Sequence, residues 1–165
     1  MAFLHRGGWQ PPVGSNILKA IGSSTGRFGA LAVRFSSPNE KDLQGEYFTA
    51  ATDFGPRNGD ESPVMIHHGL PLEDGLEAFA DVVLPTAKVE REPRGLFASV
   101  RLDLGDPVQG AIAELITQGF FRWSSGSVPQ LAKRDTDGRL IRWHPAEFSL
   151  TPTPAEPRLR PLRLL

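Results

Sequence analysis

The spacing of apolar side chains changes character several times along the chain. Val108, Ala111, Ile112, Leu115 and Ile116 recur at helical spacing and make one apolar face. Asp106 stands where a side chain accepts the free amides of a first turn. Pro107 suits the first helical position and Gly119 a stop, so a helix is expected over 107–118. Leu96 to Leu102 (LFASVRL) alternates instead. Phe97, Ser99 and Arg101 face one way, and Leu96, Ala98, Val100 and Leu102 the other, which is the pattern of a strand. Phe28 to Phe35 (FGALAVRF) reads as a strand buried on both faces. Val64 to His68 is a short apolar strand ending in two histidines. Tyr47–Thr52, Arg139–Trp143 and Phe148–Leu150 read as extended, while Leu76–Leu84 fits strand or helix until Pro85 ends it.

Between these runs lie polar turns: Ser37–Gly45, Asp53–Pro63 (DFGPRNGDESP), Gly69–Gly75, Val89–Gly95 and Asp135–Gly138. Residues 1–27 are broken by Gly7-Gly8, Pro11-Pro12 and the Gly22–Gly26 run, and read as a flexible N-terminal arm. Residues 28–155 read as one folded domain. Residues 156–165, with Pro157, Pro161 and three arginines, read as a surface tail or linker remnant. Short strands outnumber helices and no βαβ repeat is present. The expected class is mainly β with flanking helices, as a small barrel or sandwich.

A chain of 165 residues with 39% hydrophobic side chains is long enough for one real core. The net charge of -1 gives no basic face, so a nucleic-acid partner is not expected. The absence of cysteine removes disulfides, thiolate nucleophiles and zinc–thiolate sites, and fits a reducing compartment. No apolar run of membrane-spanning length occurs, and MAFLHRGGWQPP lacks the apolar stretch of a secretory signal, so no membrane role is expected.

Three residues offer the parts of an acyl-transfer site: Ser124 in FFRWSSGS, His68 in VMIHHG and Glu147 in PAEFSLTP. A serine hydroxyl needs a base. An imidazole supplies one near neutrality, and a carboxylate fixes the imidazole tautomer. Gly126 clears space beside the serine. Backbone amides near Ser125, Gly126 and Ser127, or the guanidinium of Arg122 or Arg142, are the candidates to face an oxyanion. Ser125 is the rival nucleophile, although on a strand it points to the opposite face from Ser124. Ser127 is a third. His67 is the rival base, and His144 an alternative third member. His67, His68 and His144 with a carboxylate also make a zinc set, but adjacent strand histidines diverge and no HExxH pattern is present, so no metal or other cofactor is expected. Each element has an ordinary explanation too. SSGS is a common turn, a histidine pair at a strand end meets solvent, and a glutamate before a strand is often a surface residue. GSSTG at 22–26 lacks the context of a phosphate loop.

Taken in order, these segments resemble the tailed-phage prohead maturation proteases of the HK97 type, which are distantly related in fold to the herpesvirus assemblins. The resemblance covers roughly residues 28–155. It rests on His68 after a short apolar strand, Ser124 in SSG after a helix, and Glu147 in EFSL followed by TPTPAEP. Gly69 stands where that family often has an acidic or amide residue. Ser125 stands where it often has a hydrophobic one, which keeps Ser125 as a rival. The resemblance implies a closed or partly closed β-barrel of the assemblin type with flanking helices. It implies a serine endopeptidase with a Ser124–His68–Glu147 triad, acting on scaffold and major capsid protein, and on itself, inside an immature procapsid in the bacterial cytoplasm. A homodimer or higher homo-oligomer is the partner state it suggests. The competing expectations are a catalytically inactive capsid- or scaffold-binding module of the same fold, and an unrelated small esterase, for which no G-x-S-x-G elbow is present.

Overall fold

The computed structural model describes residues 24–55, 61–70, 79 and 82–165. The alternating segments build the larger sheet. β1 (Thr25–Arg34) lies antiparallel to β5 (Gly95–Asp103), from Thr25 opposite Asp103 to Arg34 opposite Gly95, with a bulge between Leu31 and Val33. β5 also pairs with β4 (Ala87–Glu92), and β4 with β2 (Glu61–Ser62). The other edge of β1 takes β10 (Arg163–Leu164), giving the five-stranded order β10-β1-β5-β4-β2. In β5 Leu96, Ala98, Val100 and Leu102 are buried as expected; of the other face Arg101 is exposed and Phe97 half-buried, while Ser99 is buried and accepts from the Arg27 guanidinium.

The smaller sheet has the order β3-β9-β6. Its centre is β9 (Glu147–Thr151), parallel to β3 (Val64–Ile66) and antiparallel to β6 (Arg122–Gly126). β7 (Ala132–Arg134) and β8 (Leu140–Trp143) form a separate hairpin. One contiguous core joins the two larger sheets, with Phe28, Leu102, Trp123, Phe148 and Leu150 fully buried. Burying a side chain of this size contributes about 1.5–3 kcal/mol. Trp123 Nε1 donates to Ala98 O at 3.1 Å, which ties β6 to β5 across that core.

α1 (Pro107–Thr117) begins as its cap dictates: Asp106 Oδ1 accepts from Val108 N at 3.0 Å and Gln109 N at 2.8 Å. Ala111, Ile112, Ala113 and Ile116 are its buried residues, whereas Val108 lies half-exposed at the first turn. Gly119 closes the helix at φ 76°. Fully buried Phe121 and Trp123 then pull the chain straight into β6.

Several expectations need correction. Among the described residues the protein is mainly β with one α-helix, and the sheets do not close into a barrel. Thr25–Arg27 belong to β1 rather than to an arm; residues 1–23 lie outside the described residues. Of the hairpin or loop expected over 89–95, the hairpin is present, but its first strand is longer and starts at Ala87, because Ala87 and Val89 alternate inward. Glu61–Ser62 is likewise paired, and most of the 76–84 segment lies outside the described residues. Residues 156–165 are not a free tail: Leu159 and Leu162 are buried, and Arg163–Leu164 extends the large sheet.

Candidate active site

The polar residues of β9 organise the site. Phe148 and Leu150 enter the core, so Glu147, Ser149 and Thr151 share the opposite face. Parallel pairing places Ile66 of β3 opposite Leu150, which delivers the next residues, His67 and His68, to that polar face. His68 Nδ1 meets Glu147 Oε1 at 2.6 Å, while Ser149 Oγ donates to Glu147 Oε2 at 2.7 Å and accepts from the His68 amide at 2.9 Å. These bonds close a ring through the imidazole, the carboxylate, the hydroxyl and the histidine backbone. A carboxylate only accepts, so a ring proton sits on Nδ1, and Nε2 is the nitrogen that carries the lone pair in the neutral imidazole.

The histidines do not continue the strand. They form a turn with φ 47° at His67 and 59° at His68, in the left-handed region that non-glycine residues seldom adopt. The Ser149 bond holds His68 there, and His67 Nδ1 lies 2.8 Å from Thr151 Oγ1. The two rings therefore diverge, one to Glu147 and one to Thr151. His68, and not His67, carries the carboxylate.

Register assigns the serines. Ser124 lies opposite Ser149 across β6 and β9, on the polar face with Glu147; Ser125 lies opposite Phe148. Gly126 lies opposite Glu147, and a Cβ there would overlap Glu147 Oε1. Only glycine leaves room for the carboxylate. Ser124 and His68 line one cavity of about 450 Å3, with Gly126, Phe48 and Leu159 among its other walls. Ser124 is buried, yet its hydroxyl makes no hydrogen bond to His68 or to any other described residue. Ser125 Oγ accepts from Trp143 Nε1 at 3.1 Å, and Ser127 Oγ donates to His144 O at 2.8 Å. Both rival hydroxyls are thus engaged.

No family model, curated protein or solved structure matches this chain.

The remaining candidates lie elsewhere. His144 Nε2 pairs with Asp53 Oδ2 at 3.1 Å and does not line the cavity, so it is no third member for Ser124. The Asp53 carboxyl is held below its ordinary range by the Gly55 amide and then by His144. Arg122 Nε donates to Leu159 O at 3.2 Å, and Arg142 sits opposite Lys133 in the β7–β8 hairpin; neither lines the cavity. Among the described residues no three histidines or carboxylates gather as a metal-ligand set. Ser149 and Thr151 were missed as site residues. The signal for them was the alternation E-x-S-x-T, which puts three polar side chains on one strand face.

Proposed function

We propose that the protein is a serine peptidase in which Ser124 attacks, His68 serves as base and then acid, and Glu147 holds the imidazole. The observation that carries this reading is the His68 Nδ1–Glu147 Oε1 bond of 2.6 Å in a cavity that Ser124 also lines. Nε2 is left as the free nitrogen, which is the tautomer a serine needs. On substrate binding, His68 Nε2 takes the Ser124 proton as Oγ adds to a peptide carbonyl. The proton then passes to the leaving amine, and water releases the acyl group by the same route. The Ser125, Gly126 and Ser127 segment lines the cavity and is the source from which an oxyanion donor would come. The resemblance to prohead maturation proteases agrees with this chemistry. Within that reading the distant fold relationship, the scaffold and capsid substrates, self-cleavage, a homo-oligomer and a place inside the procapsid are parts of the same proposal.

A second reading is a binding module of the same fold. It is favoured by one observation, the lack of a Ser124–His68 hydrogen bond. Incubation with an unfolded polypeptide mixture separates the two when new termini are identified by mass spectrometry. The peptidase reading expects termini with wild type and none with Ser124→Ala. Their absence from both proteins favours the binding module.

A further inference from the structure

Backbone register on β6 leaves one amide beside Ser124 without an acceptor. Phe148 N donates to Pro63 O at 2.9 Å, so the polar backbone groups of Phe148 face β3. Those of its strand neighbours Glu147 and Ser149 therefore face β6, opposite Gly126 and Ser124. Ala146 N donates to Gly126 O at 2.8 Å, in keeping with that direction. The amides of Ser124 and Gly126 are thus taken up by the ladder. Trp123 and Ser125 turn their N–H and C=O groups to the other edge, where Phe121 O already accepts from Leu162 N at 3.1 Å. β6 ends its sheet, and among the described residues no acceptor meets the Ser125 N–H.

That edge opens into the site. Successive strand side chains leave opposite faces. Yet Trp123, Ser124, Ser125 and Gly126 all line the cavity that His68 also lines, so the cavity runs along the edge of β6. Ser125 is half-buried there, with its hydroxyl engaged by Trp143 Nε1 and its N–H open. Reach separates this amide from its neighbours. The Ser125 nitrogen is bonded to the carbonyl carbon of Ser124 itself. The nitrogens of Trp123 and Ser127 each lie two residues from it, about 6–7 Å along an extended chain. An oxyanion on a carbon attached to Ser124 Oγ lies two bonds from that oxygen. The Ser125 N–H is the edge-facing amide that it can meet at hydrogen-bond length.

We propose that the backbone N–H of Ser125 is the oxyanion donor, a further catalytic group whose role rests on the peptidase reading. As Ser124 Oγ bonds to the peptide carbonyl carbon, its proton passes to His68 Nε2. The carbonyl π pair moves onto oxygen, which accepts from the Ser125 N–H. When the C=O bond reforms, the C–N bond breaks and the amine leaves with the proton held by His68. The bond to a full oxyanion is stronger than the bond to the ground-state carbonyl, so it lowers the barrier and leaves binding little changed.

The test exchanges one amide for an ester in the full-length protein. Glyceric acid installed at position 125 replaces the Ser125 N–H by oxygen and keeps the side chain. Indolelactic acid at position 123 makes the same exchange on the same edge, two residues away. The ester at 125 is expected to lower kcat about 10²-fold or more with KM within about threefold. The ester at 123 is expected to keep kcat within about threefold. A second readout needs no variant. When a peptidyl trifluoromethyl ketone forms its adduct on Ser124 of wild type, the Ser125 amide proton moves downfield in the NMR spectrum and exchanges slowly, while that of Trp123 does not. An unchanged kcat, a loss in KM alone, equal losses in the two esters, or a Ser125 amide that ignores the adduct overturns the proposal. Fluorophosphonate labelling of wild-type Ser124 separates the two levels. Labelling together with any of those results removes the role of Ser125 and leaves the peptidase. Wild type that neither labels nor cleaves removes both.

Discussion

Among the described residues two histidine–carboxylate pairs are formed, and their surroundings differ sharply. His68 Nδ1 meets Glu147 Oε1 at 2.6 Å, with the Glu147 side chain 13% exposed; His144 Nε2 meets Asp53 Oδ2 at 3.1 Å, with the Asp53 side chain 60% exposed. Glu147 sits on the central strand of its sheet, and its second oxygen is held by Ser149. The first pair leaves Nε2 open in a cavity that also holds Ser124. The second uses Nε2 itself and lies outside that cavity. Composition alone does not make an acid–base site. A fixed carboxylate, the correct free nitrogen and an unengaged hydroxyl on the same face are also needed.

The sharpest break of this comparison is alanine at each histidine. His68→Ala is expected to lower peptide turnover about 10³-fold or more, whereas His144→Ala stays within about twofold. Equal losses would dissolve the distinction. Replacing the carboxylates gives the next effect: Glu147→Gln costs about 10²-fold or more in kcat, and Asp53→Asn leaves kcat near wild type. Gly126→Ala should cost about tenfold or more, because the added methyl displaces the Glu147 carboxylate. Full activity in that variant would mean the carboxylate has another place to lie. Ser149→Ala should cost about tenfold in kcat with little change in KM, since Ser149 acts through Glu147 and the His68 backbone.

The smallest effect concerns acid stability. The Asp53 carboxyl lies below its ordinary range, chiefly through the Gly55 amide and then through His144. A depressed carboxyl contributes stability above its unfolded pKa and loses it as pH falls through the folded one. Asp53→Asn should therefore slightly reduce the fall in Tm as pH drops below about 4, as read by thermal unfolding. An unchanged acid dependence would show that this exposed pair contributes nothing measurable.

Much of the fold was legible where local rules suffice. The helix followed from Asp106, Pro107 and a regular apolar face, and β5 from the apolar row Leu96, Ala98, Val100 and Leu102. The order of His68, Ser124 and Glu147 and the flanking Gly126 were visible as well. What the sequence hid was long-range. Nothing local announces that β3 pairs in parallel with β9, far along the chain, yet that pairing brings His68 to Glu147. The left-handed turn at His67 and His68 is held by Ser149 and Thr151, so neighbouring residues do not reveal it. The last residues look polar because Arg158, Arg160 and Pro161 interrupt Leu159 and Leu162. The two leucines are nonetheless buried, and the strand after them finds the open edge of β1. The number of short strands suggested a barrel or a sandwich and the resemblance a barrel, but strand count does not fix closure, which depends on edge pairing and stagger.

The central claim is that the carboxylate-held His68 activates Ser124. Its most direct test is fluorophosphonate labelling of wild type and His68→Ala, with the modified residue located by mass spectrometry. The account predicts labelling at Ser124 in wild type and its loss in His68→Ala. Labelling at Ser125, equal labelling in both proteins, or none in wild type would contradict it.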